Sequence, residues 1–224
     1  MNGIISALVL TLIAGAATGI GGALVLFKKK ISSDFLAGAL GLSAGVMIFI
    51  SLAELLPEAQ SEIAIQHGKA YTLLAFFAGM GIIMLIDFLV PEYENPHEAS
   101  GLSLNAHTPA TDMLSHTADT RALQRLGLMS ALAIAIHNFP EGIATFVAAY
   151  EDLGLGLAIA VAVAIHNIPE GISVSLPVYR ATASKRIAFT VSFLSGLAEP
   201  LGALLGWALL LPFMSDTVFG IVFG

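Results

Sequence analysis

The chain has 224 residues, of which 57% are hydrophobic and only 11% charged, with no cysteine and a formal net charge of −7. A mean hydropathy of +0.88 lies well above that of soluble domains, so the composition excludes an ordinary water-soluble protein and points to an integral membrane protein. The acidic balance argues against nucleic acid as a partner, and without cysteine neither a disulfide nor a thiolate metal site can form.

Six apolar segments each reach the roughly 20 residues that cross about 30 Å of hydrocarbon, and backbone groups in lipid must be satisfied locally, so all six are predicted to be helices. The first runs from Ile4 to Phe27. No basic stretch precedes it and no small-residue cleavage site follows, so it is expected to be a retained helix, not a signal peptide. The second runs from Phe35 to Leu56 and ends in SLAELLPE, where Glu54 and Glu58 stand one turn apart; they are candidates for the entrance or exit of a cation path, or simply solvated helix-end carboxylates. The third runs from Tyr71 to Val90 and carries Asp87 near its end, which is similarly ambiguous.

Residues 91–120 interrupt the pattern. They are rich in Glu, Asn, Ser, Thr, Pro and His, and are expected to form a mobile loop in which His97, His107 and His116 could bind metal weakly. The fourth segment, Ala122 to Val147, and the fifth, Leu155 to Val178, are joined by a short connection, and the sixth runs from Ile187 to Leu211. The remaining stretch, Pro212 to Gly224, is too short to span. The whole reads as a single all-α domain, a polytopic membrane helical bundle in the lipid bilayer.

Basic residues cluster on one side of this arrangement. Lys28, Lys29 and Lys30, Arg121 and Arg125, and Arg180, Lys185 and Arg186 all fall there, leaving only Lys69 on the other. By the positive-inside rule that side is the cytoplasm, which puts loop 91–120 inside and both termini on the non-cytoplasmic side.

The most informative feature is a doubled phrase, IAIHNFPEGI at 134–143 and VAIHNIPEGI at 163–172. A charged side chain at the centre of a membrane helix costs roughly 2.5 to 3.5 kcal/mol on insertion scales, so such residues need a partner. Positions i and i+4 share a helix face. His137 and Glu141 therefore converge, with Asn138 alongside, and His166, Glu170 and Asn167 repeat the arrangement. Imidazole nitrogen with carboxylate oxygen suits Zn²⁺, Fe²⁺, Mn²⁺ and Co²⁺ without ranking them, and two such helices facing each other could hold one ion. Glu141 and Glu170 could bridge to a second ion completed by the two asparagines.

Pro140 and Pro169 cannot donate backbone hydrogen bonds, so each helix is expected to kink and to free the carbonyls of Ile136 and Ile165. Gly142 and Gly171 leave room for a neighbouring helix or a hydrated ion. Glycine pairs Gly15 and Gly19, Gly41 and Gly45, and Gly202 and Gly206 predict close helix packing. Thr145 is expected to bond back to the Glu141 carbonyl. The sixth segment adds Ser195-Gly-Leu-Ala-Glu199-Pro200, another carboxylate beside a kinking proline, which makes Glu199 a candidate third-helix ligand, or else an interhelical hydrogen-bonding group.

These motifs, SLAELLP, AIHNFPEGIATF, AIHNIPEGISVS and SGLAEPLG, resemble those of the ZIP (Zrt/Irt-like) divalent metal transporters, the bacterial members above all, over nearly the whole chain. The resemblance implies uptake of zinc and related divalent ions into the cytoplasm, here across a bacterial inner membrane, through a binuclear site. It puts His137, Glu141, His166 and Glu170 at the first ion, and Asn138, Asn167 and Glu199 with the two shared carboxylates at the second. It also implies eight helices, with helices 1, 4, 5 and 6 moving against 2, 3, 7 and 8. Six are visible, so a chain lacking the last two is expected.

Nothing resembling an ATP-binding loop occurs, and two charges crossing about 100 mV gain roughly 4.6 kcal/mol, so the membrane potential could drive uptake. Two alternatives stand beside transport. An intramembrane metal-dependent hydrolase would use the ion to activate water, but His precedes Glu by four here and no spare general base is evident. A truncated, non-transporting metal-binding protein is the other. Oligomeric state, a homodimer included, and carrier or channel behaviour stay open.

Overall fold

The computed structural model describes residues 2–27, 31–89 and 120–223. Loop 91–119 and Lys28 to Lys30 lie outside the described residues, as does the side chain of Asp87. Nine α-helices account for most of what is described, with no strand among these residues. They are α1 (Asn2–Phe27), α2 (Ser33–Ile50), α3 (Leu56–His67), α4 (Lys69–Leu89), α5 (Thr120–Glu151), α6 (Leu153–Thr182), α7 (Lys185–Gly196), α8 (Ala198–Leu205) and α9 (Asp216–Phe223).

Several boundaries have a local cause. Ser32 accepts from the Phe35 amide at 3.2 Å and starts α2, Asp152 accepts from Leu155 at 2.7 Å and starts α6, and Ser184 accepts from Ile187 at 3.3 Å and starts α7. Ala183, with φ of 52°, ends α6 by turning its amide onto the Tyr179 carbonyl. Asp152 is the only residue between α5 and α6, so the two helices that carry the doubled phrase form one tight hairpin.

Five helical stretches are long and apolar enough to cross a membrane: Gly3–Phe27, Asp34–Glu62, Gly127–Glu151, Leu153–Thr182 and Lys185–Phe213; α4 adds the shorter apolar stretch Lys69–Leu85. The second stretch runs about two turns past the expected Leu56. It passes through a π-helical turn at Ser51–Leu55, which joins α2 to α3. Large apolar side chains such as Phe49, Phe77 and Phe88 point outward and are mostly exposed, as lipid-facing residues are. The chain is a multi-pass membrane bundle.

The sixth predicted segment lies within the stretch Lys185–Phe213, but it is interrupted: α7 stops at Gly196, Leu197 forms a turn, and α8 starts at Ala198. Pro200 is the cause, since it has no N–H to give the Gly196 carbonyl, and the Leu197 amide is shared between the carbonyls of Phe193 and Leu194 at 3.2 Å each. Glu199 thereby enters the first turn of a new helix, where free amides favour an acidic residue. Helices α5 and α6, by contrast, continue through Pro140 and Pro169 without interruption.

Helix α6 sits at the centre, packed on α1, α5, α2 and α7. Glycines bring these backbones together: a Cβ at Gly171 would fall into the Thr18 carbonyl of α1, one at Gly142 into the Glu199 carbonyl of α8, and one at Gly202 into the Phe139 carbonyl of α5. The room beside the two motif glycines is thus filled by neighbouring helices. Gly15 and Gly19 pack as expected, against Gly196 and Phe193, and Gly206 makes ordinary contact with Phe146 and Ile143. Gly41 and Gly45 do not: no described atom lies within 4 Å of a Cβ at either. Ser192 of α7 adds a polar clamp, its hydroxyl 3.0 Å from the Thr18 carbonyl and 3.1 Å from that of Gly171.

Candidate metal centre

The doubled phrase converges as the helical spacing requires. From α5, His137 Nε2 lies 3.0 Å from Glu141 Oε1 and 3.9 Å from Glu170 Oε1 of α6. From α6, His166 Nε2 lies 3.2 Å from the same Glu141 oxygen. One ligand atom from each of His137, His166 and Glu170 falls within 4.8 Å of the others, and the two imidazole centroids are 6.4 Å apart. His166 is fully buried, Glu141 and Glu170 nearly so, while the His137 side chain keeps 38% of its surface exposed.

The imidazole of His166 is oriented from behind. Its Nδ1 is 3.3 Å from the Ala162 carbonyl, an atom that only accepts, so the hydrogen bond requires the proton on Nδ1. Nε2 is then left with a lone pair directed at Glu141, the form in which histidine binds metals. Ser43 of α2 also donates to the His166 carbonyl at 3.3 Å and ties that helix to the cluster.

Among the described residues, His166 Nε2, both oxygens of Glu141 and Glu170 Oε2 are buried without a hydrogen-bond partner. Acceptor atoms left facing one another in a low-dielectric interior are costly, and a divalent cation satisfies them together. Two imidazole nitrogens and carboxylate oxygens are a donor set suited to zinc.

The other expected ligands lie beside this cluster. Asn167 is fully buried and its amide nitrogen donates to the Ala14 carbonyl of α1 at 2.9 Å and, at short range, to Glu199 Oε1. Glu199 is fully buried as well, with Oε2 unpartnered. Asn138 is fully buried on α5 with neither amide atom partnered among the described residues. Thr145 departs from expectation: its buried hydroxyl makes no bond to the Glu141 carbonyl or to any other described group.

The candidate entrance and exit residues separate. The π-helical turn shifts the register between Glu54 and Glu58, so Glu54 lines an apolar cleft of about 420 Å³ between α2 and α6, with Gly41, Gly45, Ala158 and Ala162. Glu58 lines a different cleft, of about 360 Å³, with Glu62, Glu151, Asp152 and Asp216. That gathering of carboxylates escaped the sequence reading; the signal available was that Glu151 and Asp152 cap the hairpin on the same predicted side as Glu58. Asp87 lies on α4, and its side chain is outside the described residues.

A family model described as ZIP Zinc transporter matches residues 3–218. Similar chains include proteins named zinc transporter ZupT from Streptococcus mutans, 48% identical over 222 residues, covering 97% of this chain and 80% of that protein, from Chlorobium phaeovibrioides, 52% identical over 226 residues, covering 99% and 82%, and from Clostridium perfringens, 46% identical over 232 residues, covering 99% and 81%. The chain spans about four-fifths of the length of these relatives. With the buried His and Glu cluster on two matched helices, it belongs to the ZIP zinc transporter family.

Proposed function

We propose that the chain carries zinc across a membrane into the cytoplasm, with related divalent ions such as Fe²⁺, Mn²⁺ and Co²⁺ as further substrates. The observation that carries this reading is the convergence of His137, His166 and Glu170 within 4.8 Å on two helices of a membrane bundle, in a chain of this family. His137, Glu141, His166 and Glu170 form the first cation site. Asn138, Asn167 and Glu199 form the second, sharing the carboxylates of Glu141 and Glu170.

A hydrated cation exchanges water for these nitrogen and oxygen ligands, and its positive charge offsets the buried carboxylates that otherwise repel one another. The membrane is a bacterial inner membrane, with both termini on the non-cytoplasmic side, as supported by the basic residues Arg125, Arg180, Lys185 and Arg186 on the opposite side. Family membership weighs against the hydrolase reading.

The test is zinc entry into liposomes carrying the protein and a zinc-sensitive dye inside. Wild-type protein is expected to admit zinc, and His137→Ala combined with His166→Ala to lower the rate by about 10- to 100-fold or more, as loss of metal-binding partners does. Unchanged entry in that double variant would overturn the site assignment, and no entry with the wild type would overturn transport.

A further inference from the structure

The polar face of α5 extends beyond the motif. Glu141 points to His166 of α6, and the next residue, Gly142, lies against the backbone of Glu199 in α8. A helix turns about 100° per residue, so residue 145 emerges between those two directions, one turn further along. Thr145 is fully buried there, and its hydroxyl has no hydrogen-bond partner among the described residues. Asn138, on the same side of the helix, is in the same condition.

Threonines inside helices usually satisfy themselves by donating to the carbonyl four residues back. Thr11 does so to Ala7 at 2.9 Å, and Thr182 to Val178 at 2.8 Å. The Thr145 hydroxyl makes no such bond to the Glu141 carbonyl, and the residues that follow it, Phe146, Val147, Ala148 and Ala149, are buried and apolar. Thr18 and Thr72 are likewise buried without a partner for the hydroxyl among the described residues; what sets Thr145 apart is its place one turn beyond Glu141, on the helix face that also carries the unpartnered Asn138.

Building on the transport reading, we propose that Thr145 is a further oxygen ligand for the travelling cation, one turn beyond Glu141, and that it tunes which cations pass. A neutral hydroxyl binds a divalent ion more weakly than a carboxylate, so it can replace a water of hydration without trapping the ion. Oxygen ligands favour Mn²⁺, whereas the imidazoles of His137 and His166 favour Zn²⁺. Thr145 therefore widens the range of ions admitted.

The test compares wild type, Thr145→Val, which keeps the shape and removes the hydroxyl, and Thr145→Ser, which keeps the hydroxyl, in dye-loaded liposomes. Zinc entry is measured against rising Mn²⁺. In the valine variant about tenfold more Mn²⁺ should be needed to halve zinc entry at a fixed multiple of the zinc KM, with the serine variant close to wild type. A purely structural role would lower the zinc rate and leave that Mn²⁺ requirement where it was, and this result, or an unaltered valine variant, overturns the proposal. Should the valine variant fail to elute as folded protein, Thr145→Ala supplies the same comparison. Wild-type liposomes that admit no zinc would overturn the transport reading itself, an outcome distinct from wild-type entry with an unshifted Mn²⁺ requirement.

Discussion

His166 Nε2 and Glu141 Oε1 stand 3.2 Å apart without forming a hydrogen bond. The Ala162 carbonyl behind the ring takes the proton of Nδ1, so in the neutral ring two lone pairs confront each other across the gap. Only a proton or a metal cation can relieve that arrangement, which makes the site's preference for an ion a property of its backbone geometry as well as its ligand types.

This arrangement fixes an NMR result. With histidine labelled in ¹⁵N and the protein in detergent, His166 should show a protonated Nδ1 before metal is added. Zinc should then move the Nε2 resonance and leave Nδ1 protonated. A ring carrying its only proton on Nε2 would contradict the assignment.

Metal affinity should fall in acid. The binding forms are neutral imidazole and ionised carboxylate, so each bound zinc displaces protons wherever those ligands are still protonated. For every proton displaced, zinc affinity should fall about tenfold per pH unit through the range where that ligand titrates, with an ordinary histidine near 6.5 as the reference. Zinc titrations against a competing chelator between pH 5.5 and 7.5 measure this directly, and affinity that rises on acidification would contradict it.

The glycines divide into two groups with opposite expected effects. Gly142→Ala and Gly171→Ala drive a methyl group into the carbonyls of Glu199 and Thr18, and should cost about 1 to 3 kcal/mol as overpacking does. Gly41→Ala meets no described atom within 4 Å and should be neutral or stabilising by up to about 1 kcal/mol, since alanine favours helix. Melting temperatures in one detergent check both signs.

Asn167 holds three helices to one point, donating to Ala14 of α1 and to Glu199 of α8 from its place in α6. Asn167→Leu leaves the buried Glu199 carboxyl group without its donor, while the Ala14 carbonyl loses a second donor and keeps its helical one. The expected loss is about 1 to 3 kcal/mol for the abandoned carboxyl group, together with weaker zinc binding. A variant as stable as wild type and unaltered in zinc affinity would show that this amide is dispensable.

Much of the candidate centre was legible because it rests on helical periodicity. His137 with Glu141, and His166 with Glu170, had to share faces once the segments were read as helices, and short spacing made α5 and α6 neighbours. What escaped is finer than periodicity or depends on contacts between distant segments. Pro200 marks a kink in the sixth segment, but not that α7 stops at Gly196 and a new helix starts at Ala198. The π-helical turn at Ser51–Leu55 has no marker in residues that all suit an ordinary helix. Gly41 and Gly45 look like a packing face, yet only the tertiary arrangement shows that an open cleft toward α6, not a closely packed helix, faces them. Thr145 followed the local rule on paper and breaks it in the fold.

The connector of one residue, Asp152, has a consequence for biogenesis. All four ligands proposed for the first site lie between His137 and Glu170, on a single hairpin whose halves need no distant segment to find each other, and local contacts of this kind form early. The cluster can therefore assemble as soon as α6 has been synthesised and inserted, before α7 and α8 emerge. Zinc present at that stage would bind the nascent hairpin and bias it toward its native pairing, so cellular metal supply could influence how efficiently the protein is made as well as how much it carries.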